Sequence, residues 1–109
     1  MKKALLAFCA LIISTPALAG TAGYGPPINV LVAEWGMMLF NLPNNRSGAP
    51  ACATQATRFA IPSNTDAGKS MISSVLTAQA RGKQVYVNGA GNCNVWSDSE
   101  TVDYVQVEN

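Results

Sequence analysis

Hydrophobic and polar positions divide the chain into an apolar opening, an unpatterned stretch, and short β-like runs interrupted once by a helical one. Ala4 to Ile13 form an uncharged apolar run behind Lys2 and Lys3. Gly20 to Pro27 is rich in glycine and proline and has no period, so it reads as a flexible or extended arm. Ile28-Asn-Val-Leu-Val-Ala-Glu-Trp35 is rich in β-branched residues and predicts a first strand, with Gly36 as a turn. Met37 to Leu42 predicts a second strand. Pro43 to Pro50 is a polar loop full of breakers, and Arg58 to Ile61 a short third strand ended by Pro62.

The pattern then changes period. Ser63, Asn64 and Thr65 are all good N-caps, and Asp66 puts negative charge in the first turn. Met71, Ile72, Val75 and Leu76 share one helical face, while Lys69, Ser70, Ser73, Ser74 and Thr77 take the others. Arg81 sits in the last turn and Gly82 where a left-handed cap residue is wanted, so a helix is predicted over 66–81. Gln84 to Asn88 alternates as a half-buried strand, Gly89-Ala90-Gly91 frees the backbone to turn, and Thr101 to Val107 predicts a last strand. The order βββαββ is that of an OB-fold, a five-stranded Greek-key barrel, here plugged at one end by the Met71, Ile72, Val75 and Leu76 face.

The apolar opening changes what the rest of the chain is. Two lysines, the apolar run, and the small residues Ala17 and Ala19 around Leu18 make the three-part pattern of a secretory signal peptide, expected to be cleaved after Ala19. The run is too short to span a bilayer of about 30 Å. A lipoprotein signal ending at Cys9 fits less well, because only Ala4 to Phe8 separate that cysteine from the lysines. The expected product, residues 20–109, is one exported domain of a bacterial protein, periplasmic or secreted, with no membrane anchor. It would bury only about 60–65% of its unfolded surface. Cys9 leaves with the leader, and an even pair in an oxidising compartment, Cys52 and Cys93, reads as a disulfide.

Composition mostly excludes. The chain has no histidine, which removes histidine-based triads and His-ligated zinc. Arg46, Arg58, Lys69, Arg81 and Lys83 face Glu34, Asp66, Asp98, Glu100, Asp103 and Glu108 in the processed chain, a net charge of −1. That is no field for nucleic acid. Gly68-Lys69-Ser70 copies the end of a phosphate-binding loop, but Ser63 stands where its first glycine belongs. Asp98, Glu100 and Asp103, near Asn92 and Asn94, could offer oxygen ligands to calcium, yet the EF-hand spacing is missing and a solvated loop is the default. The same carboxylates suggest glycoside hydrolysis, but no acid can be placed opposite them. No nucleophile, base and orienter assemble, so no catalytic residue, metal or cofactor is expected. Asn45-Arg46-Ser47 has the form of a glycosylation acceptor, which the bacterial leader discounts.

Aromatic residues remain: Tyr24, Trp35, Phe40, Tyr86, Trp96 and Tyr104, of which Phe40 reads as core with Phe59. Aromatic rings on a barrel surface can stack on bases or on the apolar faces of sugars. Trp96, Asp98 and Glu100, together in one polar stretch, are the candidate ligand contact, and the alternative for Trp96 is a cover for the disulfide.

Cys52-Ala53-Thr54, Arg58-Phe59-Ala60-Ile61, Ala67-Gly68-Lys69, Ala78-Gln79-Ala80-Arg81-Gly82-Lys83-Gln84-Val85, Gly91-Asn92-Cys93 and Glu100-Thr101-Val102 together resemble the subtilase cytotoxin B-subunit-like proteins of the pertussis-like toxin superfamily. The similarity covers about the last half of the chain. It implies an OB-type barrel, a Cys52–Cys93 bridge, and a non-enzymatic role: in the toxins, a ring of five subunits captures sialylated glycans beside a catalytic A subunit. This chain is shorter than the toxin subunits and shows one cysteine pair, and no sugar-binding residue carries over. The expectation is a secreted glycan-binding module. Its alternative is a stand-alone envelope domain that contacts another protein.

Overall fold

The computed structural model describes residues 18–109, so the expected leader lies outside the described residues, Cys9 included, except for Leu18 and Ala19. Seven elements follow: β1 (Thr21–Gly25), β2 (Ile28–Ala33), β3 (Met37–Asn41), β4 (Arg58–Pro62), α1 (Asp66–Ala80), β5 (Val85–Gly89) and β6 (Glu100–Val107). The chain is thus mainly β with one helix. The expected helix and five strands are present, with ends shifted by up to two residues.

The sheet has six strands rather than five, because Gly20 to Pro27 is not a loose arm. Its residues form β1, which pairs antiparallel with β5 through Thr21↔Asn88, Tyr24↔Tyr86 and Gly25↔Val85. The register shifts between Thr21 and Tyr24, where Gly23 takes φ +70°. Backbone pairing makes this strand, and backbone pairing leaves no hydrophobic period to read.

The strand order is β1-β5-β6-β4-β3-β2, and the sheet is not closed. All neighbours are antiparallel except β4 and β6, which run parallel with Phe59↔Glu100 and Ala60↔Thr101 in register. A parallel pair needs a long connection, and α1 followed by β5 supplies it. The two edge strands are consecutive in the chain. Gly25 and Ile28 are three residues apart, a reach of at most about 11 Å. Across a flat six-stranded sheet they would stand about 24 Å apart. The sheet is therefore strongly curled, bringing its edges toward each other.

Inside the curl lies the main core: Met38 and Phe40 of β3, Phe59 and Ile61 of β4, Val85 and Val87 of β5, and Val75 and Ala78 of α1. A second cluster, Met37, Leu39 and Ala60, occupies the opposite face of β3 and β4 under Ala33, Val95 and Trp96. Strand β3 is thus buried on both sides, which explains its unbroken apolar run. Thr65 is the N-cap, its Oγ1 accepting from the Gly68 amide at 2.9 Å. Gly82 ends the helix at φ +65°.

The inward helix stripe is Gly68, Met71, Ile72, Val75 and Ala78, and Leu76 is exposed, contrary to expectation. Leu76 lies about 100° around the helix from Val75, so burying one turns the other toward the flank. Gly68 explains itself too: a Cβ there would collide with the Pro62 carbonyl, so the helix start rests directly on the end of β4. Cys52 and Cys93 are joined, with Cα atoms 6.2 Å apart, tying the loop before β4 to the segment before β6.

Candidate functional site

The three residues singled out around Trp96 go to different places. The Trp96 indole stacks on Trp35, which projects from the β2–β3 turn, with ring centroids 5.6 Å apart and planes 12° from parallel. Its inner side packs on the Met37, Leu39 and Ala60 cluster, so Trp96 covers apolar core while Trp35, 65% exposed, carries the aromatic surface outward. Asp98 is half-buried, and its Oδ1 accepts from Arg58 at 2.7 Å and from Ser99 at 3.0 Å. The Arg58 hydrogen bond holds the Asp98 carboxyl below its ordinary value. Arg58 also donates to the Ser99 hydroxyl at 2.8 Å, so this network fixes the turn before β6 against β4.

Glu100 is fully buried and its partners are groups of the chain itself. Its Oε2 accepts from the Gly20 and Gly91 amides, each at 3.0 Å. Arg46 lies 3.5 Å from the other oxygen. The Arg46 side chain is itself enclosed: its guanidinium sits 4.5 Å from the centre of the Phe59 ring and donates to the carbonyls of Gln55 and Arg58. Burial pulls its pKa down, and Glu100 opposes the shift. Removing a carboxylate from water is costly unless charge and hydrogen bonds replace the lost hydration. Here Arg46, from the polar loop Pro43 to Pro50, supplies that charge. Asp98, Glu100 and Asp103 do not converge, since Glu100 points inward while Asp103 is exposed. Among the described residues no group of three or more Cys, Asp or Glu could hold a metal ion.

A second aromatic surface lies elsewhere. In β5, Val85 and Val87 are buried, so Tyr86 and Asn88 occupy the opposite face. Tyr24 pairs with Tyr86 across β1–β5, and Tyr86↔Gln106 and Asn88↔Tyr104 pair across β5–β6. The three phenol rings form a row, with centroids 5.5 Å apart from Tyr24 to Tyr86 and 6.3 Å from Tyr86 to Tyr104. Tyr24 and Tyr104 are each more than 40% exposed. The paired positions of this face carry three phenols, two carboxamides and the Thr21 hydroxyl, and exposed Asp103 adjoins Tyr104 where the register of β6 shifts. Such a face offers apolar π-surface for stacking and neutral donors and acceptors beside it. The alternation that sets Tyr86 opposite its valines is visible in the sequence. The alignment of three separated tyrosines is not, because it depends on cross-strand register.

Two other surfaces complete the picture. Edge strand β2 exposes Ile28, Leu31 and Val32, and Trp35 follows in the turn. A groove beside the end of α1 is lined by Ser73, Thr77, Arg81, Lys83 and Glu108. Among the described residues no helix is long and apolar enough to cross a membrane. Comparison with family models, with curated proteins and with solved structures gives no match for this chain.

Proposed function

We propose that the protein is an exported, non-enzymatic glycan-binding module of toxin B-subunit type. The observation that carries this reading is the row of Tyr24, Tyr86 and Tyr104 flanked by Asn88 and Gln106. Pyranose rings present C–H faces that stack on aromatic rings, and their hydroxyls pair with carboxamides. An OB-type barrel is the finer fold reading, and its supports are the curled sheet, the parallel β4–β6 pair and the helix crossover between them. The disulfide suits a small domain in an oxidising compartment. Purified residues 20–109 are expected to bind defined sugars on a glycan array, and Tyr86→Ala to weaken that binding at least about tenfold, the worth of one lost stacking contact. Silence across the array, with a protein recovered by pull-down, would instead establish the envelope-interaction alternative.

The edge strand supports self-assembly of this module. Among the described residues strand β2 has an unpaired backbone edge beside exposed Ile28, Leu31 and Val32, the combination that natural proteins cover or charge. In a ring of five, each copy would cover this edge, and a catalytic subunit would be the further partner. Native mass spectrometry is expected to show an oligomer that Val32→Lys dissociates. A strictly monomeric mass at micromolar concentration would exclude the ring.

A further inference from the structure

The chain passes from outside to inside at one bond. Ala19 is exposed and Gly20 is buried. The Gly20 nitrogen lies 3.0 Å from Glu100 Oε2 in a buried hydrogen bond. A Cβ on Gly20 would overlap the Gly48 carbonyl oxygen and come within 2.8 Å of both Glu100 Oε1 and the Arg46 Cδ. Only glycine fits. Glu100 meanwhile is incompletely compensated: Arg46 Nε stands 3.5 Å from its Oε1, and neither atom makes a hydrogen bond.

We propose that the Ala19–Gly20 bond is the processing site, and that the α-ammonium released at Gly20 docks on the buried Glu100 carboxylate and locks the processed fold. The proposal rests on the exported reading above. Hydrolysis by a signal endoprotease consumes one water, leaves a carboxylate on Ala19, and gives Gly20 a primary amine that takes up a proton. The nitrogen already aims one N–H at Oε2, so cleavage replaces a neutral donor with a charged one without moving the chain. Hydrogen bonds to charged groups are stronger than neutral ones, and more so away from water.

The geometry is specific to one register. A start at Ala19 leaves an ordinary amide at Glu100. A start at Thr21 removes the Gly20 nitrogen altogether, and the Thr21 nitrogen is bonded to the Ser47 carbonyl instead. The unprocessed chain therefore lacks a stabilising charge that the processed chain has, so the precursor is the less stable form.

Two measurements test this. Protein exported from the full-length precursor is expected to have the intact mass of a chain beginning at Gly20. Any other start overturns the processing site, and failure to export overturns the reading on which the proposal rests. Separately, Gly20–Asn109 released from a fusion by a protease that leaves no residue is compared with the same chain extended by Leu18-Ala19. The Gly20 chain is expected to melt about 5–10 °C higher, with the gap closing in Glu100→Gln. Should E100Q fail to fold, acylating the wild-type α-amine selectively is expected to lower Tm to that of the extended chain. Equal melting of the two chains, or no effect of acylation, overturns the lock while leaving export intact.

Discussion

Gly89→Ala is expected to destabilise the fold by about 3–5 kcal/mol, although it adds one methyl group. The new Cβ would fall on the Glu100 carboxyl group. That carboxyl has no free direction, since Gly20 and Gly91 amides hold one oxygen and Arg46 faces the other. Overpacking typically costs about 1–3 kcal/mol, and a hydrogen bond to a charged group contributes about 1.5–3 kcal/mol more when it breaks. Gly23→Ala is the control. Gly23 has a positive φ, which Gly89 does not, and nothing lies within 4 Å of its would-be Cβ, so only about 1–2 kcal/mol of backbone strain is expected. Urea denaturation of the two variants separates steric exclusion from backbone preference. A loss below about 1 kcal/mol for Gly89→Ala would mean that Glu100 can relocate.

Removing the disulfide is expected to have an effect of similar size. Cys52 and Cys93 close a loop spanning 41 positions, and the chain-entropy relation gives about 4 kcal/mol for a loop of that length. Total stability of a small domain is about 5–15 kcal/mol, so the double variant Cys52→Ser, Cys93→Ser should unfold well below the parent temperature. The bridge joins the loop ahead of β4 to the segment ahead of β6, the two strands of the parallel pair. Those strands are linked in sequence only through α1 and β5, so the bridge constrains a non-local contact that the chain must otherwise find by diffusion. Melting with and without reductant measures the difference. Alkylation of the chain isolated without reductant should detect no free thiol, and two reactive thiols would show that the staple is absent.

Much of the architecture is legible in the residues. Thr65 and Gly82 bracket the helix because a hydroxyl acceptor and an achiral residue satisfy demands that are local to the helix ends. The valines of β5 alternate with Tyr86 because one face of that strand is buried. Leu76 shows the limit of this reading. Four apolar residues define a broad arc, and only the packing of Gly68 and Ala78 against the sheet selects which edge of the arc turns inward. β1 shows another limit, since a strand held by main-chain bonds to β5 needs no apolar period of its own.

The candidate sites divide in the same way. Trp96 stands out in the sequence as an aromatic residue in polar surroundings, and it does reach the surface, but through its stack with Trp35, sixty-one positions away. Glu100 and Asp98 look alike as neighbouring acids in one segment. The structure sends one carboxylate inside to meet Gly20, Gly91 and Arg46 and leaves the other half-exposed on Arg58.

The sequence by itself determined the helix and its caps, five of the strands, the cysteine pair available for bridging and the absence of histidine chemistry, because each depends on nearby residues or on composition. Only the tertiary structure decided the sixth strand, the curl of the sheet, the burial of Arg46 with Glu100 and the alignment of three tyrosines. Those depend on register and on approach between segments as much as 80 positions apart, as Gly20 and Glu100 are. No local pattern encodes a distance of that kind. It emerges when the chain closes on itself and each polar group must find a partner.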